Sequence, residues 1–239
     1  SYFGLREALL WSTALDLWHR YTSALDVIEE GILKGASILE VGPGWFGVEL
    51  FLPPEVMASG LLVQTDILHR PMRHRVSREV RFLASGTTLP FRDGSFDLVL
   101  AMDVLEHIPR ESRPAFCNEL KRVARTAVLA HMPIQSKDGT FQGAVCDRTF
   151  QEWYQQRFGR KEKNTEEHLR NGHPTPEELE VYFPGSFLIG TQPVQDWLRY
   201  SFQGKRPLYG AVNGLVMYLH GLSSGPPFYS GLIVWRRRD

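Results

Sequence analysis

The sequence predicts a doubly wound α/β domain: a seven-stranded, mostly parallel sheet with helices on both faces and helical insertions. Three observations carry that expectation. Short apolar runs alternate with amphipathic stretches from residue 36 onward, the rhythm of successive strand-helix-strand units. The first run, 37–41, ends in the turn Gly42-Pro43-Gly44. The run FDLVLAM at 96–102 is almost wholly apolar, as a central parallel strand buried on both faces requires.

Taken in order, residues 5–30 carry Leu10, Ala14, Leu17, Tyr21, Leu25 and Ile28 at helical spacing, which makes 1–35 a helical leader. The first strand follows at 37–41, then the start of a helix at 47–52 that Pro53-Pro54 is expected to stop. Strand two is expected at 61–67, a short helix at 72–78 and strand three at 81–84. The Asp93-Gly94 turn leads into strand four at 96–102. A helix over 109–124, with Pro109 near its first turn, leads to strand five at 126–132. These elements make 36–133 one half of the domain, the half that binds a cofactor.

After Pro133 the rhythm breaks, and helices are expected at 148–160 and 165–170. The segment 134–174 is therefore an insertion, too long for a plain connecting loop. Thr175-Pro176-Glu177-Glu178 reads as a capping box with proline at the first helical position. Strands six and seven at 187–191 and 229–235, with a helical segment over 194–222 between them, complete the C-terminal half, 175–239.

Composition narrows the function classes. With 43% apolar and 23% charged residues among 239, the chain is an ordinary globular one, neither disordered nor membrane-spanning. Lys and Arg balance Asp and Glu at 27 each, so no overall positive field gathers nucleic acid. The basic run at 69–81 lacks interleaved aromatics and reads as a solvated helix face. Cys117 and Cys146, in a helical and a loop-like segment, form no C-x-x-C pair and no zinc spacing; they read as idle thiols in a reducing compartment. Trp18, His19 and Arg20 interrupt the first apolar stretch, and the late run 214–222 is far too short to span a bilayer. A cytoplasmic protein without a membrane span is expected.

Ligands of doubly wound sheets sit at the carboxyl ends of the strands, here near Gly42, Asp66, Ser85 and Asp103. The spacing Gly42-x-Gly44-x-x-Gly47 fits a dinucleotide-binding turn. Two neighbours argue otherwise. Pro43 removes an amide donor from the cradle, and Glu40 repels a diphosphate while attracting an ammonium group. Asp66 ends strand two, where a carboxylate accepts hydrogen bonds from ribose hydroxyls of either kind of cofactor. An amino-acid-bearing nucleoside fits better than NAD, and an NAD-dependent oxidoreductase stays as an alternative.

Glu40-Val41-Gly42-Pro43-Gly44, Asp66, LPFRDGSFDLVL at 89–100 and VLEHIPR at 104–110 stand in one unbroken order within 36–133. Together they resemble the class I S-adenosylmethionine-dependent methyltransferases, especially the small-molecule branch that includes ubiquinone-type enzymes. The resemblance implies a Rossmann-like methyltransferase fold, S-adenosyl-L-methionine as cofactor and S-adenosyl-L-homocysteine as its product. It implies that Glu40 meets the methionine amino group, that Gly42 and Gly44 line methionine and ribose, and that Asp66 binds the ribose. It further implies that Ile67 packs on the adenine, that Ser85 and Gly86 read its edge, and that Met102 and Asp103 pass beside the methionine tail. Two positions depart from the family pattern: Ser85 stands where many relatives have aspartate, and Ala124-Arg125-Thr126 replaces a Gly-Gly turn.

The resemblance also implies that 134–174 forms a lid over a small-molecule acceptor. Aromatic residues such as Trp153, Tyr154, Phe158 and Trp197 suit an apolar or ring-containing one, although core packing is their commoner use. Methyl transfer is an in-line displacement, so alignment dominates, and a base is needed only where the acceptor must lose a proton. His107, His131, His168 and His173 are the candidates for that base; the alternatives are packing at the strand exit for His107 and a solvated helix end for His168 and His173. The resemblance further implies that a divalent metal could sit on acidic residues and a histidine in this region, as in some ubiquinone-type relatives, with Asp103, Glu106 and His107 the residues able to hold it here; their neighbours complete no ligand set, so no metal is expected. A cofactor-binding scaffold without turnover remains a second alternative.

Overall fold

Seven strands line up in the order β3-β2-β1-β4-β5-β7-β6 in the computed structural model, which describes residues 15–28, 35–44, 47–67, 79–201 and 224–238. They are Ser37–Val41 (β1), Leu61–Asp66 (β2), Glu79–Leu83 (β3), Phe96–Met102 (β4), Ala124–Pro133 (β5), Phe187–Pro193 (β6) and Phe228–Arg236 (β7). β1 to β5 pair in parallel, and β7 runs antiparallel between β5 and β6. The expected helix at 72–78, most of the basic run, the first part of the leader, Trp45, Phe46 and the stretch 202–223 lie outside the described residues.

The apolar run of β4 explains the layering. Leu98, Leu100 and Met102 join Tyr21, Val48 and Val56 on one face of the sheet; Val99 and Ala101 join Phe116, Leu120 and Val123 on the other. The first face is covered by Leu15–Asp26 (α1) and Pro54–Ser59 (α2), the second by Arg113–Val123 (α3) and Pro176–Tyr182 (α6). Gly143–Phe158 (α4), Lys163–Asn171 (α5) and Val194–Ser201 (α7) complete the helices of the described residues. None of them is long and apolar enough to cross a membrane.

Several boundaries differ from the sequence reading. No α-helix starts at Gly47; a 3-10 turn covers Val48–Leu50, and Pro53-Pro54 opens α2 rather than stopping a helix. Proline at the first helical position costs no hydrogen bond, because that N–H has no partner in the helix anyway, so the pair was a start signal. Pro109 precedes a 3-10 turn, Arg110–Ser112, and α3 begins only at Arg113. β5 begins where α3 ends: Ala124 is already extended (φ −74°, ψ 133°), which removes the need for glycines at Ala124-Arg125-Thr126. Cys146 lies in α4 instead of a loop; it and Cys117 are buried, and burial pushes both thiols up to about 12.

Two devices seat the insertion against the sheet. Arg113 is fully buried and donates to the carbonyls of Ile108 (3.1 Å), Asn171 (3.2 Å) and Gly172. Asn171 Nδ2 donates in turn to the carbonyl of His107 (2.9 Å). The end of α5 is thereby fixed on the 3-10 turn Leu105–His107 that follows β4. The expected capping box forms at α6, with the Glu178 amide on Thr175 Oγ1 and the Thr175 amide on Glu178 Oε2.

Candidate functional site

Strand order reverses between β1 and β4, which opens a crevice beyond their carboxyl ends. Gly42 leaves β1 at φ +73°, and a Cβ there would lie 2.7 Å from Val104 Cγ2, so the turn admits no side chain. Glu40, just below it, is fully buried yet fully engaged. Its oxygens accept from Tyr21 Oη (2.6 Å), Gln64 Nε2 (2.7 Å) and the Val48 amide (3.0 and 3.1 Å). Burial and the nearby Glu49 raise its pKa to about 7 against the pull of those bonds. Burial and the charge of Glu40 hold the Tyr21 hydroxyl well above its ordinary value, so it stays a donor. Gly47 owes its identity to this network: a Cβ would stand 2.3 to 2.5 Å from Gln64, Glu49 and Glu40.

Asp66 closes β2 with only 8% exposure, and its Oδ2 accepts the Gly44 amide at 3.2 Å. The turn after β1 and the end of β2 are thus tied together. Ile67 is 70% exposed beside them. Ser85 Oγ lies 2.9 Å from Thr87 Oγ1 and caps the following turn. Gly86 has a packing reason of its own, since a Cβ would meet the Phe116 ring at 2.5 Å. Met102 points into the core under the sheet, while the next residue, Asp103, turns out of β4 at φ +54°.

Asp103 is held from two sides. Arg20 on α1 forms an ion pair with its Oδ2, and His131 Nδ1 on β5 lies 2.5 Å from its Oδ1. Burial disfavours the charge, but Arg20 and His131 outweigh it and hold the carboxyl well below the usual range. His131 is 2% exposed, and its other nitrogen meets Thr191 Oγ1 at 2.9 Å. Of the four candidate bases, this one is committed to orienting Asp103.

The other three histidines meet in space. His107, in the turn after β4, and His168, on α5, face each other with their Nε2 atoms 3.2 Å apart. His168 Nδ1 and His173 Nε2 both lie on Asp147 Oδ2, at 2.9 and 2.8 Å, and Tyr229 donates to Asp147 Oδ1. His107 Nδ1 rests on Glu167 Oε2 at 2.9 Å. Burial lowers the pKa of His107, helped by His168; burial also pulls on His168, but its bond to Asp147 and the neighbouring carboxylates win and raise it. Burial likewise opposes ionisation of Asp147, and its bonds to His168 and His173 outweigh it. Glu106, fully buried beside this group, has no hydrogen-bond partner on either oxygen among the described residues; burial and Asp103 push it up to about 8.

The sequence-predicted residues therefore fall into two groups. Glu40, Gly42, Gly44, Asp66 and Asp103 border the crevice, whereas His107, in the turn after β4, meets His168, which lies with His173 in the insertion. Sequence reasoning missed Tyr21, Gln64, Arg20 and Asp147. Tyr21 and Arg20 stand in the expected leader helix, and only their position on its sheet-facing side marks them; nothing local marks Asp147.

Residues 39–131 match the family described as methyltransferase domain. An uncharacterized methyltransferase of Mycobacteroides abscessus is 29% identical over 171 residues, covering 66% of this chain and 65% of that protein. The chain thus spans just under two thirds of that relative's length. Among solved structures, magnesium protoporphyrin IX methyltransferase from Synechocystis PCC 6803 with bound SAH aligns over 100% of this chain and 90% of that one, with a TM-score of 0.55 at 13% identity. A SAM dependent methyltransferase from Aquifex aeolicus aligns over 98% of each chain, with a TM-score of 0.51 at 12% identity. At such identities the likeness is one of fold, and that fold is the class I methyltransferase fold.

Proposed function

We propose that this chain, whose residues 39–131 are a methyltransferase domain of class I fold, binds S-adenosylmethionine in the crevice between β1 and β4 and methylates a small-molecule acceptor. The carrying observation is the placement of Glu40, Asp66 and Asp103 at the carboxyl ends of β1, β2 and β4 around a side-chain-free turn at Gly42. Asp66 would take the ribose hydroxyls while its Oδ2 keeps the Gly44 amide in place. With its oxygens already taken by Tyr21, Gln64 and Val48, Glu40 would act on the amino group by its charge and by shaping the turn. Asp103, kept ionised by Arg20 and His131, supplies a second negative charge nearby. Ile67, Ser85 and Gly86 would stand at the adenine, and Met102 supports Asp103 from beneath.

When bound, S-adenosylmethionine supplies an electrophilic methyl on a sulfonium. What remains for the protein is alignment of acceptor, methyl and sulfur. The acceptor side would be closed by the insertion 134–174, whose α5 is pinned onto the turn after β4 by Arg113 and Asn171. His107 and His168 lie on that side.

A thermal melt of the purified chain with S-adenosylhomocysteine and, separately, with NADH tests the reading. Stabilisation by S-adenosylhomocysteine alone is expected. Stabilisation by NADH alone would return the chain to the oxidoreductases.

A further inference from the structure

We propose that the outer edge of β6 is the interface of a homodimer, in which two copies of this chain pair their β6 strands antiparallel about a two-fold axis and join two sheets into one. β6 closes one side of the sheet: β7 lies on its inner side, and no strand pairs with its outer side among the described residues. The backbone groups along that side are therefore open to a further strand. Two apolar side chains stand beside them. Phe187 is 70% exposed and Ile189 39%, and as residues i and i+2 of a strand they share one face of the sheet. Across the ladder they meet Val234 and Leu232, which are buried in the core on the α1 face, so the pair carries that core outward to the edge.

The composition of the strand says which partner fits. Proteins blunt exposed edges with charged residues, and the opposite edge, β3, carries Glu79 and Arg81 among its five residues. β6 reads FLIGTQP, without a charge, and its proline comes last, at the end of the ladder. A strand that meets its own copy about a two-fold axis brings the residues near the axis opposite themselves, where any charge would face its like. An uncharged strand is free of that penalty, and it offers a charged peptide nothing to read. A two-fold axis perpendicular to the sheet keeps the α1 faces of both copies on the same side. Phe187 and Ile189 of the two copies then form one apolar cluster across the joint. The joint also lies close to the crevice: Thr191 on β6 meets His131 Nε2 at 2.9 Å, and His131 holds Asp103, so a second copy would brace the strand on which that contact depends.

The test is sedimentation equilibrium of the purified chain at micromolar to tens of micromolar concentration. Twice the chain mass is expected for wild type. Phe187→Lys and Ile189→Lys, which set like charges against each other across the axis, should each weaken the dimer about a hundredfold or more. Both side chains are partly or largely exposed, so an unchanged thermal melt is expected to show that the variants stay folded. Val80→Lys, at an equally exposed position on the opposite edge, should leave the dimer as it is. Hydrogen exchange reads the joint without a substitution: amides of 187–193 should slow as concentration rises, while those of 79–83 should not. A wild type that stays monomeric throughout would overturn the proposal, as would a dimer that persists in both β6 variants or one whose β6 exchange does not change with concentration.

Discussion

Glu40 on β1 and Glu106 in the turn after the neighbouring β4 are both fully buried and both shifted upward, to about 7 and about 8. Their surroundings are opposite. Glu40 is met by Tyr21, Gln64 and the Val48 amide, and the turn that should cradle a ligand is built upon it. Glu106 is met by no hydrogen-bond donor among the described residues. The first carboxylate works within the protein, as the foundation of the turn after β1; the second has no such partner among the described residues. Burial alone therefore does not say what a carboxylate does; its hydrogen-bond partners do.

The largest expected effect breaks the foundation. Glu40→Ala removes the carboxylate to which Tyr21, Gln64 and the Val48 amide all donate, and should destabilise the protein by about 4 kcal/mol, at about 1–3 kcal/mol per buried hydrogen bond lost, read from urea denaturation. A loss under about 1 kcal/mol would mean that the Glu40 network contributes little.

The next is a pH dependence. An ordinary glutamate titrates near 4.5, and folded Glu40 titrates at about 7. Between these values the folded state keeps a proton that the unfolded state has lost, so the contribution of Glu40 is full below pH 4.5 and declines as pH rises through 7. The total is about 3 kcal/mol. It should appear as the difference in slope between wild type and Glu40→Gln, measured at a series of pH values; parallel curves would place Glu40 at its ordinary value.

The smallest effect has the opposite sign. Glu106→Leu removes a buried carboxyl that accepts no hydrogen bond among the described residues, and should stabilise by about 1–2 kcal/mol in the same denaturation assay. Destabilisation of that size would equate Glu106 with Glu40 and erase the contrast.

The same contrast separates what the sequence could and could not tell. β4 and the Thr175 cap were legible because each is written in a few adjacent residues whose chemistry permits one backbone conformation. Asp66 was legible because its place follows from strand length and the turn before it. The fold class followed from the strand-helix rhythm, and it is the fold observed. Pro53-Pro54 was misread because the same dipeptide can stop one helix or start the next, and only the 3-10 turn before it decides. The partnership of Glu40 with Tyr21 depends on how α1 docks across 19 intervening residues. That of His107 with His168 spans 61 positions and requires α5 to be seated by Arg113, a buried cation with no local signature.

The central claim is that the crevice beyond β1, β2 and β4 holds S-adenosylmethionine. Isothermal titration of S-adenosylhomocysteine into wild type and Asp66→Ala tests it most directly. One equivalent binding at micromolar or tighter is predicted for wild type, weakened about a hundredfold or more in the variant, through loss of the charge-assisted hydrogen bonds to the ribose and of the tie to the Gly44 amide. Binding no tighter than millimolar by folded wild type, or equal affinity in both proteins, would contradict it.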